Sequence, residues 1–305
     1  MSCYTCSMTG KLAHTYSIIG IDTERREMGI GVQSHYFSVG SVVPWAEAGV
    51  GVVATQALVN PEYGPQGLKL LRSGAAPDDA LKTLLEHDEG SRFRQAALLT
   101  PQEPPATHTG SHCIREAGHA SGATYSAQAN MMLNDTVWNA MSTAFEAADA
   151  PLAERLLAAL HAAEDEGGDI RGRQSAALLI VSTESHNDVL KDRLLDLRVD
   201  DHTQPLGEMD RLLVTHRAYE AVQQGDTAME AGDTDRALLA FSRARNLAPD
   251  NTELQYWHAV TLADSGHRDE AQGMLQRIYR EDPNWKELTR RLVEIGLIGE
   301  ETAEL

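Results

Sequence analysis

The order of strand-like and helix-like segments predicts an α+β protein, a four-layer αββα sandwich followed by an all-α array of helical repeats. Three observations carry this. Strand-like segments rich in Val, Ile and Ala come first, helical segments fill the middle, and strands return before residue 205. A doubly wound sheet would instead alternate one strand with one helix. The last third of the chain repeats itself with a period of 34 residues. Finally, 305 residues with 42% hydrophobic content suffice for two domains with real cores. The expected division is a flexible leader over 1–14, the sandwich over 15–205, and an adapter helix with repeats over 206–305.

Thr15–Ile21 reads as the first strand, and Met28–Ser34 lies beside it across a turn at Asp22–Glu27. Gly51–Leu58, rich in Val and Gly, is a third strand. Helices follow near Gly67–Ser73 and over Pro77–Asp88. Gln95–Thr100 and Ala106–Thr109 form a hairpin through a Pro-rich turn, and Thr124–Met131 is another strand. Helices over Asn134–Ala147 and Pro151–Glu164 precede the closing strands, Gln174–Ser182 and Arg193–Asp200.

In the last third, Gly232 and Gly266 are 34 residues apart, as are Ala237 and Ala271, Ala244 and Ile278, and Pro249 and Pro283. ALLAFSRARNLAPDN (237–251) and EAQGMLQRIYREDPNW (270–285) each read as a second helix with small residues where helices cross, closed by Pro. Residues 252–263 and 286–297 supply further helices. This recurrence resembles the tetratricopeptide (TPR) family, whose unit is a helix–turn–helix of about 34 residues. Such arrays need about three stacked units for stability, so the helix near 206–224 is the expected adapter. The resemblance implies a groove for a peptide or protein partner. Helices that mediate dimerisation or cap the main domain would carry the same pattern.

Net charge is −19, and it is spread along the chain: residues 206–305 hold 19 acids against 11 bases, the remainder 26 against 15. A nucleic-acid backbone would be repelled, so nucleic acid is excluded as a partner. No segment approaches the roughly 18 apolar residues of a membrane span, and the N-terminal residues lack a secretory h-region. A cytoplasmic location without membrane contact is the resulting expectation. Three cysteines are too few for a disulfide framework. Cys3 and Cys6 form a lone CxxC without a second pair for zinc. Cys113 near His108, His112 and His119 reads as a small strand–loop cysteine, with a metal site as the alternative. No cofactor or metal is expected.

Thr15-Tyr16-Ser17-Ile18-Ile19, QSHYFSVGSVVPWAEAGVGVVATQALVNPEYGPQGL (33–68), HTGSHC (108–113), GGDIRGRQSAALLIV (167–181) and DLRVDDH (196–202) together resemble one family. It is the N-terminal-nucleophile (Ntn) hydrolase-like family called domain of unknown function 1028, and the resemblance covers about residues 15–210. It implies a fold related to Ntn hydrolases and, because such sandwiches often assemble, a homo-oligomer. Ntn hydrolases attack an amide with a Thr, Ser or Cys at the mature N-terminus, whose own α-amino group takes the proton at a pKa of about 7.7–8.0. Thr15 is the matching position. Residues precede it here, so the chain starts later than Met1, or the His14–Thr15 bond is cut by self-processing, or Thr15 is never freed and only begins a strand. Met8-Thr9 is another candidate start.

Ser34 and His35 end the second strand, where a hydroxyl or imidazole could orient the nucleophile or act as acid/base; a polar strand end is the plainer reading. Asn60 could donate to an oxyanion and Tyr63 could line the pocket, although Asn-Pro also makes ordinary turns. Gln128-Ala129-Asn130 matches the family's Gln-Gly-Asn with Ala in place of Gly, which puts a left-handed backbone there in doubt. Asn130 keeps its amide donor. In Gly167–Ser175, Asp169 could fix Arg171 or Arg173 for gripping a substrate carboxylate or phosphate, and Gln174 lies beside them; a structural ion-pair clamp reads equally well. Asp200-Asp201-His202 suggests a metal site or an acid/base pair, and an acidic helix start reads at least as well. The function expected is an Ntn-type amidohydrolase acting on a small amide or peptide, with a TPR protein-interaction module. A hydrolase using Ser34 or a metal, and a non-catalytic binding protein, are the alternatives.

Overall fold

The computed structural model describes residues 12–303 and 305, which fall into two compact units divided between Asp210 and Arg211. The first unit contains β1 (Leu12–Ala13), β2 (Thr15–Asp22), β3 (Glu27–Ser34), β4 (Pro44–Glu47), β5 (Gly51–Leu58), α1 (Tyr63–Arg72), α2 (Pro77–Glu86), β6 (Arg94–Leu99) and β7 (Ala106–Thr109). It continues with β8 (Gly118–Ser121), β9 (Tyr125–Ala129), α3 (Val137–Ala147), α4 (Leu152–Asp165), β10 (Ser175–Ser182), α5 (Val189–Asp192) and β11 (Arg193–Val199).

Two antiparallel sheets stack face to face. One runs β1-β5-β6-β7, with β4 also paired to β5; the other runs β11-β10-β3-β2-β9-β8. Strand alternation sends every second side chain into the space between them. Ile19, Ile21, Met28, Ile30, Val32, Leu179 and Val181 of one sheet meet Val52, Ala54, Ala97 and Leu99 of the other, all buried. The opposite face of β5 and β6 presents Val53, Ala96 and Leu98 to α1 and α2. On the other sheet α3 and α4 lie close because β2 and β3 carry glycine there: a Cβ on Gly20 would sit 2.8 Å from the Phe145 ring. The layers are therefore helix, sheet, sheet, helix, as the segment order requires.

Leu12–Ala13, which the sequence reading assigns to a flexible leader, is instead a short edge strand on β5, and His14 is buried as the chain crosses between the sheets. Residues 1–11, with Cys3, Cys6 and Thr9, lie outside the described residues. Two further strands went unread because both are short: β4 opens on a proline, and β8 alternates polar and small residues that give no apolar rhythm. Helix α1 starts four residues earlier than expected, so Tyr63 and Gly64 belong to it and not to a loop.

The second unit takes up α6 (Pro205–Glu230), within which the division falls, and α7 (Thr234–Leu247), α8 (Thr252–Asp264), α9 (Arg268–Glu281), α10 (Asn284–Glu294) and α11 (Glu300–Ala303). Gly232 and Gly266 end α6 and α8 at φ +75° and +84°, and Asp233 N donates to Ala228 O as His267 N does to Leu262 O. These left-handed C-caps close each helix hairpin, which is why glycine recurs at 34 residues. Tyr256, Ala259, Ala263, Ala271, Leu275 and Ile278 pack α8 on α9. None of the described helices is long and apolar enough to cross a membrane.

Candidate active site

The space between the sheets is apolar at one end and polar at the other. At the polar end the inward positions are Thr15, Ser17, Ser34, Gln56, Gln95, Gln128 and Asn130, all fully buried. Register places Thr15 directly opposite Ser34, and Ser34 opposite Ser175. Thr15 Oγ1 lies 3.0 Å from Ser34 Oγ and 2.8 Å from the carbonyl oxygen of Ala13.

The peptide bond before Thr15 is the focus of the site. Ser34 Oγ donates to the His14 carbonyl at 2.7 Å, and Arg171 Nη2 donates to the same oxygen at 2.8 Å. Arg171 is held by the buried carboxylate of Asp169, through Nε at 3.0 Å and Nη2 at 2.7 Å. The same carboxylate accepts from Arg171 N at 2.9 Å and His35 N at 3.2 Å. Sharp turning at Gly167, φ +100°, and Gly172, φ +102°, brings this loop to the strand ends. Two donors, one of them cationic, thus converge on a carbonyl whose neighbouring residue carries a hydroxyl. That is the arrangement by which an oxyanion is stabilised.

Asn130 fixes the other side. Its N–H and Nδ2 donate to Thr15 O at 3.2 and 3.3 Å, and Oδ1 lies 2.6 Å from His14 Nδ1. Burial lowers the His14 pKa, and the nearby Arg171 charge adds to this against the Asn130 hydrogen bond. The ring is thereby kept neutral, with Nδ1–H donating to Asn130. The left-handed residue of this segment is Met131, φ +60°; Ala129 stays in its strand, so glycine is not needed there.

The sequence reading missed Gln56 and Gln95. Gln56 Nε2 donates to Thr15 O at 3.1 Å and to Gln95 Oε1 at 2.7 Å, and Gln95 Nε2 donates to Thr109 Oγ1, Gly118 O and Ala129 O. Ser17 bridges Gln56 and Gln128 at 2.6 Å each. Their signal was visible: polar residues at inward positions of strands that otherwise alternate correctly. An amide left unpaired at such a position would cost about 1–3 kcal/mol, so these groups hold one another in one arrangement.

Other candidates lie apart from Thr15. His35 contributes its backbone N–H while its ring is exposed. Arg173 reaches Gln204 and Glu164, and Gln174 reaches Asp201. Asn60 and Tyr63 do not aim at the Thr15 cluster: both donate to Asp88 Oδ2, as Arg94 does, and Arg94 also donates to Leu58 O at 2.5 Å. Burial pushes the Asp88 carboxyl up, but hydrogen bonds from Arg94 and the Gly90 amide outweigh it and hold the pKa down at about 2. Asn60 and Tyr63 are thus a clamp on the end of β5. His108, His112, His119 and Cys113 each bond a different neighbour, and no metal-holding group of three His, Cys, Asp or Glu occurs among the described residues.

A comparison with curated proteins finds no match. Residues 228–292 match the tetratricopeptide repeat. Among solved structures, protein SPO2555 from Silicibacter pomeroyi, a DUF1028 protein, is 31% identical, with a TM-score of 0.60 over 72% of this chain and 93% of its own. Residues 15–209 match the family of unknown function DUF1028. That match spans more than half of the chain, so the chain belongs to the DUF1028 family and carries a TPR region behind that domain.

Proposed function

We propose that the first unit is an amide hydrolase of the N-terminal-nucleophile type, with Thr15 as nucleophile, held as a precursor by the His14–Thr15 bond. The observation that carries this reading is the His14 carbonyl, gripped by Ser34 and Arg171 beside the Thr15 hydroxyl. In the precursor, Thr15 Oγ1 attacks that carbonyl carbon, its proton passes to the Thr15 nitrogen, and the C–N bond breaks to leave an ester. Water then cleaves the ester and frees a threonine amine. In the mature enzyme this amine, with a pKa of about 7.7–8.0, takes the Oγ1 proton as the hydroxyl attacks a substrate amide. It passes the proton to the leaving amine, Ser34 and Arg171 receive the oxyanion, and water, deprotonated by the same amine, then hydrolyses the Thr15 ester to release the acid. Asn130 and Gln56 hold the Thr15 carbonyl and so aim the nucleophile. The TPR region is a protein-interaction module that would recruit a partner.

Intact mass and N-terminal sequencing test this reading directly. A chain beginning at Thr15, made inactive toward an amide panel by Thr15→Ala, is the expected result. A second reading, a non-catalytic binding domain, draws on the complete burial of Thr15, Ser34 and Asn130. A chain that keeps His14 and turns over no amide would establish it and sink the first.

A further inference from the structure

We infer that the substrate is an extended peptide, and that its acyl side enters as an added strand on the edge of β5. This inference rests on the hydrolase reading above and names the substrate class of that site. It starts from where residues 12–14 lie. Leu12 and Ala13 pair antiparallel with Leu58 and Ala57, on the same edge of β5 that β4 covers from Gly51 to Ala54. The described residues place no strand but β1 along that edge at 57–58.

The edge is built to stay in place. Ala57 is fully buried at φ +72°, a conformation rare for a residue with a Cβ. The Leu58 carbonyl is fixed by Arg94, which the half-buried Asp88 carboxylate holds in turn. Beyond Ala13 the chain leaves this sheet, buries the His14 ring against Asn130, and delivers the His14 carbonyl to Ser34, Arg171 and Thr15.

Residues 12–14 therefore stand to the Thr15 hydroxyl as the acyl part of a peptide substrate would. When the His14–Thr15 bond is cut and the segment leaves, three places open together: a backbone edge, a side-chain pocket ending in an amide oxygen, and a carbonyl site. A small amide fills only the last. A peptide fills all three, with at least three residues before the scissile bond and a neutral N–H donor such as His at the residue that is cut. Strand addition of this kind draws affinity from main-chain hydrogen bonds and selectivity from the pocket.

The test uses the full chain with residues 11–14 replaced by the recognition sequence of a site-specific protease, cut so that Thr15 becomes the first residue; circular dichroism checks the fold. Three probes are compared: acetyl-Leu-Ala-His and acetyl-His, each as an aminocoumarin amide, and the tripeptide amide methylated on the Ala nitrogen. The expected result is a kcat/KM for the tripeptide at least about tenfold above acetyl-His and about fivefold above the methylated probe, since each main-chain hydrogen bond contributes a factor of roughly five and methylation removes one donor. Equal turnover of all three overturns the peptide groove and leaves the hydrolase standing. If no probe is cleaved, the hydrolase reading falls, and binding of acetyl-Leu-Ala-His as free acid decides the groove. Shifts of the Ala57 and Leu58 amide resonances, lost on methylation, support it; no binding overturns it.

Discussion

Asp169→Ala removes the support of the whole candidate site. Its carboxylate is fully buried and accepts four hydrogen bonds, three from Arg171 and one from the His35 amide. Taken separately, hydrogen bonds to a charged group contribute about 1.5–3 kcal/mol each, which would sum to more than 6 kcal/mol. Arg171, however, is 28% exposed, so water re-solvates part of its guanidinium once the partner is gone. Breaking a buried pair by removing one member costs about 3–5 kcal/mol, and the exposed Arg171 brings the expectation to roughly 3 kcal/mol. The assay is urea unfolding in a Trp257→Phe/Trp285→Phe background, where Trp45 and Trp138 of the first unit alone report. With a slope of about 2 kcal/mol per molar, the midpoint should fall by about 1.5 M. Asp169→Asn keeps one acceptor oxygen, enough for either the Arg171 amide or the His35 amide but not both, and should lose somewhat less. A midpoint for Asp169→Ala within about 0.25 M of the parent would refute the view that this carboxylate organises the Arg171 loop.

Three other outcomes follow from the same structure. Asp88 has a folded pKa of about 2 against 3.8 ordinarily, so its contribution is present above pH 3.8 and is lost as pH falls through about 2. Asp88→Asn should lower stability at pH 7 by about 2 kcal/mol and flatten the pH 4-to-2 limb, read from melting in a pH series. His14 is the opposite case. Burial depresses its pKa below 6.5, the unfolded chain binds the proton more readily, and stability falls as pH drops below 6.5. In a Thr15→Ala background, which keeps His14 attached, His14→Gln should remove that slope, of about 1.4 kcal/mol per pH unit at most; an unchanged urea-midpoint profile from pH 7.5 to 5.5 would count against a buried neutral ring. In the repeats, a Cβ at Gly225 would meet the Phe241 ring at 2.7 Å, whereas one at Gly273 meets nothing within 4 Å. Gly225→Ala should therefore destabilise by about 1–2 kcal/mol through overpacking, and Gly273→Ala should stabilise by about 0.5–1 kcal/mol through helix propensity, as a calorimetric comparison would show.

The sequence by itself determined the layer order, the main strands and the repeat. Alternation in Thr15–Ile21 and Met28–Ser34 and the 34-residue spacing of Gly232 and Gly266 are local consequences of backbone geometry, so they are legible in one dimension. Pairing of the first two strands also followed, because a short turn joins them, and Thr15 duly faces Ser34. Only the tertiary structure decided which partner each polar group takes. Asp169 could have held Arg171 or Arg173, and it holds Arg171 because the turn at Gly172 carries Arg173 away toward Glu164 and Gln204. Asn60 and Tyr63 look like site residues in sequence yet spend their hydrogen bonds on Asp88. Gln56 and Gln95 look unremarkable in sequence yet meet Thr15 and Asn130 across the stacked sheets. Leu12–Ala13 gives no strand signal at all; its conformation comes from the open edge of β5, a surface that exists only once the sheets have formed. Hydrogen bonds between residues far apart in the chain depend on how the layers stack, and no local pattern encodes that.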